Sequence, residues 1–112
     1  MDKAEYQSRL EELNSLVKKE DYEGALAVVE AVDWRRVKSL RTLGMVADVY
    51  EANKRYPEAK KILLMAYDRS SIGKGILYRL VEVSVKMKDF DEAIDFYNEF
   101  EAVARHDNSR YL

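Results

Sequence analysis

The chain has 112 residues, the length of one domain, with 19 lysines and arginines against 21 aspartates and glutamates. That near-balance argues against a general nucleic-acid binder, which needs a strong cationic excess, and a 47% apolar content is too high for a disordered chain. The absence of cysteine excludes disulfides and thiolate metal sites and fits a reducing cytoplasm.

The segment Met1-Asp2-Lys3-Ala4-Glu5 is polar and leads straight into an amphipathic pattern, unlike the apolar core of a signal peptide. No apolar run approaches the length of a membrane span, so the expected location is cytoplasmic with no membrane partner. One proline, four glycines and an abundance of Ala, Leu, Glu and Lys make an all-α composition. Tyr6, Leu10, Leu13 and Val17 recur three and four apart and fall on one helical stripe. Taken along the chain, the patterning predicts helices over about 3–19, 22–32, 36–54, 57–68, 74–87 and 90–105. Asp21 and Asp89 stand where they cap the second and last helices. At the matching place the fourth has Arg55, with Pro57 in its first turn, where a missing N–H costs nothing. Ser70-Ser71-Ile72-Gly73 breaks the chain before the fifth. Its continuation to Lys74 shares the tail of a phosphate-binding loop but lacks the earlier glycine and the preceding strand.

A self-comparison organises these helices into pairs. Asp21-Tyr22-Glu23-Gly24-Ala25-Leu26 returns as Arg55-Tyr56-Pro57-Glu58-Ala59-Lys60 and again, after the same interval, as Asp89-Phe90-Asp91-Glu92-Ala93-Ile94. That interval, thirty-four residues, is the period of one helix-turn-helix unit. In that period and in its small residues Ala25, Ala59 and Ala93, the whole chain resembles the tetratricopeptide-repeat family. Leu43, Val46 and Tyr50 with Ala47 match the first helix of a unit, and Leu63 and Ala66 the second. Arg9 and Glu12 depart from the pattern, as does the lack of a unit-ending proline. More narrowly, Trp34 to Phe100 resembles N-terminal repeat segments of larger bacterial repeat proteins. The resemblance implies a right-handed solenoid of three antiparallel units, about 3–35, 36–71 and 72–105, with 106–112 a tail or the start of a truncated fourth.

The two ends of such a stack differ. The first helix carries Lys3, Glu5, Gln7, Ser8, Arg9, Glu11, Glu12, Lys18 and Lys19, a polar face suited to closing it. The last carries Phe90, Ile94, Phe96, Tyr97, Phe100 and Val103, a surplus expected to meet another helix unless the tail folds back over it. Tyr111 lies one period after Leu77, in the slot of a large residue. Phe96, Phe100 and Tyr111 are therefore the expected assembly edge, through which the chain packs on further repeats, a fused domain or a second copy.

The resemblance also implies that first helices line a concave groove for a partner peptide or helix. The period stacks Asn14, Asp48 and Glu82 in one row, flanked by Gln7, Arg41 and Gly75, by Leu10, Gly44 and Tyr78, and by Lys18, Ala52 and Lys86. The candidate groove residues are Asn14, Arg41, Asp48, Tyr78 and Glu82, with the two acids attracting a cationic side chain and Tyr78 and Leu10 holding an apolar one. The bland alternative is a solvated helix face. The family's clamp for chaperone C-terminal carboxylates is matched only at Asn14 and Arg79; Leu10, Met45 and Gly75 fill the other slots, too few donors for a carboxylate. Arg35, Arg36, Lys38 and Arg41 form a basic cluster, with Arg69 one period after Arg35, and Trp34 beside them reads as a packing residue. The sole histidine, His106, has no cysteine to act with, and acidic pairs such as Glu11-Glu12 fall on outer faces, so neither catalysis nor a metal or cofactor is expected.

Overall fold

A computed structural model of the protein describes residues 1–71 and 73–109, with side chains through Arg105. The described residues form six helices and no strand: α1 (Lys3–Lys18), α2 (Tyr22–Glu30), α3 (Leu40–Ala52), α4 (Tyr56–Arg69), α5 (Lys74–Lys86) and α6 (Phe90–Ser109).

Local chemistry sets most of the boundaries. Asp2 opens α1 by accepting from the Glu5 amide at 2.8 Å, and Asp21 opens α2 by accepting from the Gly24 amide at 2.9 Å. Asp89 accepts from the Glu92 amide at 3.3 Å, a looser version of the same cap. Ahead of α3 the cap is Ser39, whose Oγ accepts from the Thr42 amide at 3.2 Å. The helix expected from 36 therefore starts at Leu40. Asp33 holds the preceding segment in a turn, accepting from the Arg35 amide at 3.0 Å. α4 has no side-chain cap and begins with Pro57 in its first turn. α5 starts from Gly73 at φ 71°, where an added Cβ would stand 2.6 Å from the Tyr67 ring. α6 runs to Ser109, four residues past the expected end; Arg110, Tyr111 and Leu112 lie outside the described residues.

Inside each pair, α1 to α2, α3 to α4 and α5 to α6, the turn is the same. Glu20, Lys54 and Lys88 take left-handed conformations at φ 60°, 58° and 60°, the three non-glycine residues with positive φ among those described. Around them Asp21, Arg55 and Asp89 donate their amides to the carbonyls of Leu16, Tyr50 and Ser84 at 2.9, 2.8 and 2.9 Å. Each first helix thus closes with the same 6→1 cap, built at the cost of a left-handed residue that is not glycine.

Consecutive helices pack on one another, most densely α3 on α4 and α5 on α6. The core runs through the middle of the stack. Leu13, Val29, Leu43, Val46, Leu63, Leu77, Leu80 and Val83 are fully buried, and so are the small residues Ala25, Ala47 and Ala59 that let helices approach. Each large side chain removed from water contributes about 1.5–3 kcal/mol. The extents are 46 × 31 × 24 Å, with a radius of gyration of 15.3 Å. A spherical domain of this length would have about 13 Å, so the molecule is somewhat elongated.

Where α2 meets α3, Trp34 is buried, its indole N–H donating to the Val29 carbonyl at 2.8 Å and its ring meeting Tyr6 edge-on at 6.3 Å. The indole takes the carbonyl that a continuing helix would offer to residue 33, so α2 stops at Glu30 while α4, with Asp68 at the matching position, continues to Arg69. Arg69 reaches across to donate to the Arg35 carbonyl, tying the two expected edge residues together.

Candidate functional site

The groove candidates sit on alternate helices: Asn14 on α1, Arg41 and Asp48 on α3, Tyr78 and Glu82 on α5, all exposed. Asn14 and Arg41 meet in one open cavity of about 700 Å³ between α1 and α3, with Val17, Lys18, Thr42 and Met45 as the rest of its wall. Lys18 and Arg41 are its only charged groups, and neither has an ion-pair partner among the described residues.

Asp48 is differently placed. Arg79 of α5 crosses to α3, where its Nη2 meets Asp48 Oδ1 at 2.6 Å and Glu51 Oε1 at 3.3 Å while Nη1 donates to the Gly44 carbonyl at 3.3 Å. The cation expected from a partner at Asp48 is thus supplied from within, and Glu82, which has no ion-pair partner among the described residues, is the remaining groove acid. The period contains a signal for this pair: Arg79 stands one period after Met45, which lies one turn from Asp48 on the same helix.

Tyr78 is 52% exposed, yet its ring centroid lies 5.6 Å from that of Phe100, which in turn lies 6.3 Å from Tyr97. This aromatic strip joins the groove rim to the expected assembly edge. Of the edge residues, Phe96 and Phe100 are half-buried and packed against the core, and Tyr111 lies outside the described residues. Among the described residues the exposed large apolar side chains of α6 are Phe90, Ile94 and Tyr97.

Electrostatics around these surfaces are of an ordinary kind. The Arg35 guanidinium and amide beside Asp33 hold its carboxyl well below the usual range, and Asp33 in return raises Arg35. The Arg55 guanidinium is raised mainly by Glu58. Burial raises the Tyr50 and Tyr67 phenols, and Glu101 beside Tyr97 raises that one. All of these shifts move the group away from neutral pH. Among the described residues no cluster of His, Asp or Glu has the geometry of a metal site, and no helix is long and apolar enough to cross a membrane.

No protein-family model and no curated protein matches this sequence.

Proposed function

We propose that this chain is a non-catalytic protein-interaction scaffold of the tetratricopeptide type, three units wound as a right-handed solenoid, working in the cytoplasm. The identical left-handed turns at Glu20, Lys54 and Lys88, spaced by the same interval as Ala25, Ala59 and Ala93, support the repeat. In this reading the exposed row on α1, α3 and α5 is the binding groove for a peptide or helix of a partner protein.

What carries the groove reading is the cavity beside Asn14, with two unpaired cations and no carboxylate in its wall. A partner segment that places an acidic side chain between Lys18 and Arg41, a cation at Glu82 and an apolar group against Tyr78 complements the row. The test is selection from a displayed library of random peptides on the folded chain. Selected peptides should be enriched in acidic residues, and Lys18→Glu with Arg41→Glu should abolish their binding while the circular dichroism stays unchanged. Equal binding to wild type and variant would remove the groove from the account.

A second reading has its own observation. Phe90 (57% exposed), Ile94 (58%) and Tyr97 (46%) form a continuous apolar stripe along α6, at the end of the stack. Such a stripe marks a surface for assembly.

A further inference from the structure

The stripe on α6 has two covered counterparts in the same molecule. At the equivalent positions of the earlier units, Tyr97 corresponds to Leu63 and Val29, which are 1% and 0% exposed; Phe90 corresponds to Tyr56 and Tyr22, and Ile94 to Lys60 and Leu26, all half-buried. The next helix packs against the helix that carries them, α3 on α2 and α5 on α4, and Lys60 is in addition paired with Glu92 of α6. Asn53 at the end of α3 donates its amide to the Tyr22 carbonyl at 2.9 Å, and Lys86 at the end of α5 stands 5.6 Å over the Tyr56 ring. Among the described residues nothing does this for Phe90.

The covering helices show what an occupant must look like. The stripe of α3 that ends at Asn53 comprises Thr42, Val46 and Val49, and the same positions of α5 hold Ile76, Leu80, Val83 and Met87. Those residues are buried, apart from the half-buried Asn53, Ile76 and Met87. On α1 the equivalent residues are Ser8, Glu12, Ser15 and Lys19, polar and exposed. A second copy therefore has no apolar stripe on its first helix to lay on α6. Nor does α6 suit a twofold pairing with itself, because Asp91 flanks the stripe and Glu101 continues it, and both would face their own kind.

We infer that the outer face of α6 docks an amphipathic helix of a partner protein, with apolar residues at i, i+4, i+7 and i+11 and a lysine- or arginine-rich flank, seated on α6 as α5 is seated on α4. This rests on the second reading above. It narrows that reading from assembly in general to capture of a basic helix from another protein.

A labelled peptide of this chain's own residues 74–88 is a suitable probe, since it carries the Ile76, Leu80, Val83, Met87 stripe with Lys74, Arg79, Lys86 and Lys88 against one acid, Glu82. Fluorescence anisotropy on the full 112-residue chain should show saturable binding that weakens with salt. Ile94→Asp or Tyr97→Asp should weaken it about tenfold or more. Both positions are exposed, so the variants should keep their helical circular dichroism. Asp91→Lys with Glu101→Lys, which leaves Phe90, Ile94 and Tyr97 intact, should weaken it as well, and a peptide with Leu80→Asp and Val83→Asp should not bind. Binding indifferent to the α6 variants overturns the inference. A wild-type chain that dimerises in light scattering until Tyr97→Asp is introduced keeps the second reading but overturns the partner helix. A chain that neither dimerises nor binds the peptide removes both.

Discussion

The first and last helices of the stack occupy equivalent end positions and meet solvent in opposite ways. On α1 the stripe that points away from the stack reads Ser8, Glu12, Ser15, Lys19, all polar; on α6 the outward stripe reads Phe90, Ile94, Tyr97, all apolar. An end that needs no neighbour is polar, because solvent satisfies it, whereas an apolar end leaves hydrophobic free energy that only a further helix recovers. The difference gives the molecule a direction. One end is closed by its own side chains and the other is built like an interior surface.

The largest consequence concerns stability. Leu63 and Tyr97 stand one thirty-four-residue interval apart, one buried and the other nearly half exposed. Leu63→Ala should cost about 2–5 kcal/mol, since it deletes a core side chain and leaves a cavity. Tyr97→Ala should cost clearly less, about 1 kcal/mol, because nearly half of that residue stays in water on folding and its loss leaves no closed cavity. Urea titrations of the two variants measure the contrast, and equal losses would mean that the α6 face is covered in solution.

A smaller effect separates the helix pair α3–α4 from the pair α5–α6. Tyr50 and Ser84 are counterparts, but Ser84 is fully buried with an Oγ that finds no hydrogen-bond partner among the described residues. Replacing it by alanine removes an unsatisfied hydroxyl at almost unchanged volume, so Ser84→Ala should stabilise the chain by about 1 kcal/mol in the same assay. The smallest effect tests whether the three turns are the same object. Glu20→Gly, Lys54→Gly and Lys88→Gly should each raise stability by up to about 1 kcal/mol, the relief of a left-handed residue less the extra freedom glycine gains in the unfolded chain. Unequal responses would break the equivalence on which the repeat alignment stands.

Much of the helical framework was legible in the residues. The apolar spacing placed six helices, and Asp21 and Asp89 marked two starts, because N-capping is a contact within four residues and so leaves a local trace. The start of α3 was missed by four residues. Its cap is Ser39, and the turn before it is held by Asp33 and the buried Trp34, whose indole competes for a helical carbonyl. That competition is tertiary, and nothing in the local pattern announces it. At the groove the exposed row could be listed from the period, yet the neutralisation of Asp48 by Arg79 needs the packing of α5 on its neighbours. At the edge, Phe96 and Phe100 were singled out for being aromatic, whereas comparison with Val29 and Leu63 at the same repeat position points to Tyr97.

What matters most is that the α6 face is open where its two counterparts are closed. Hydroxyl-radical footprinting of the free chain, read residue by residue by mass spectrometry, tests this directly. Phe90 and Tyr97, about half exposed, should be oxidised clearly faster than Tyr22 and Tyr56, with Tyr50 slower still. Protection of Phe90 and Tyr97 equal to that of Tyr22 and Tyr56 would show the face already covered and would contradict the account.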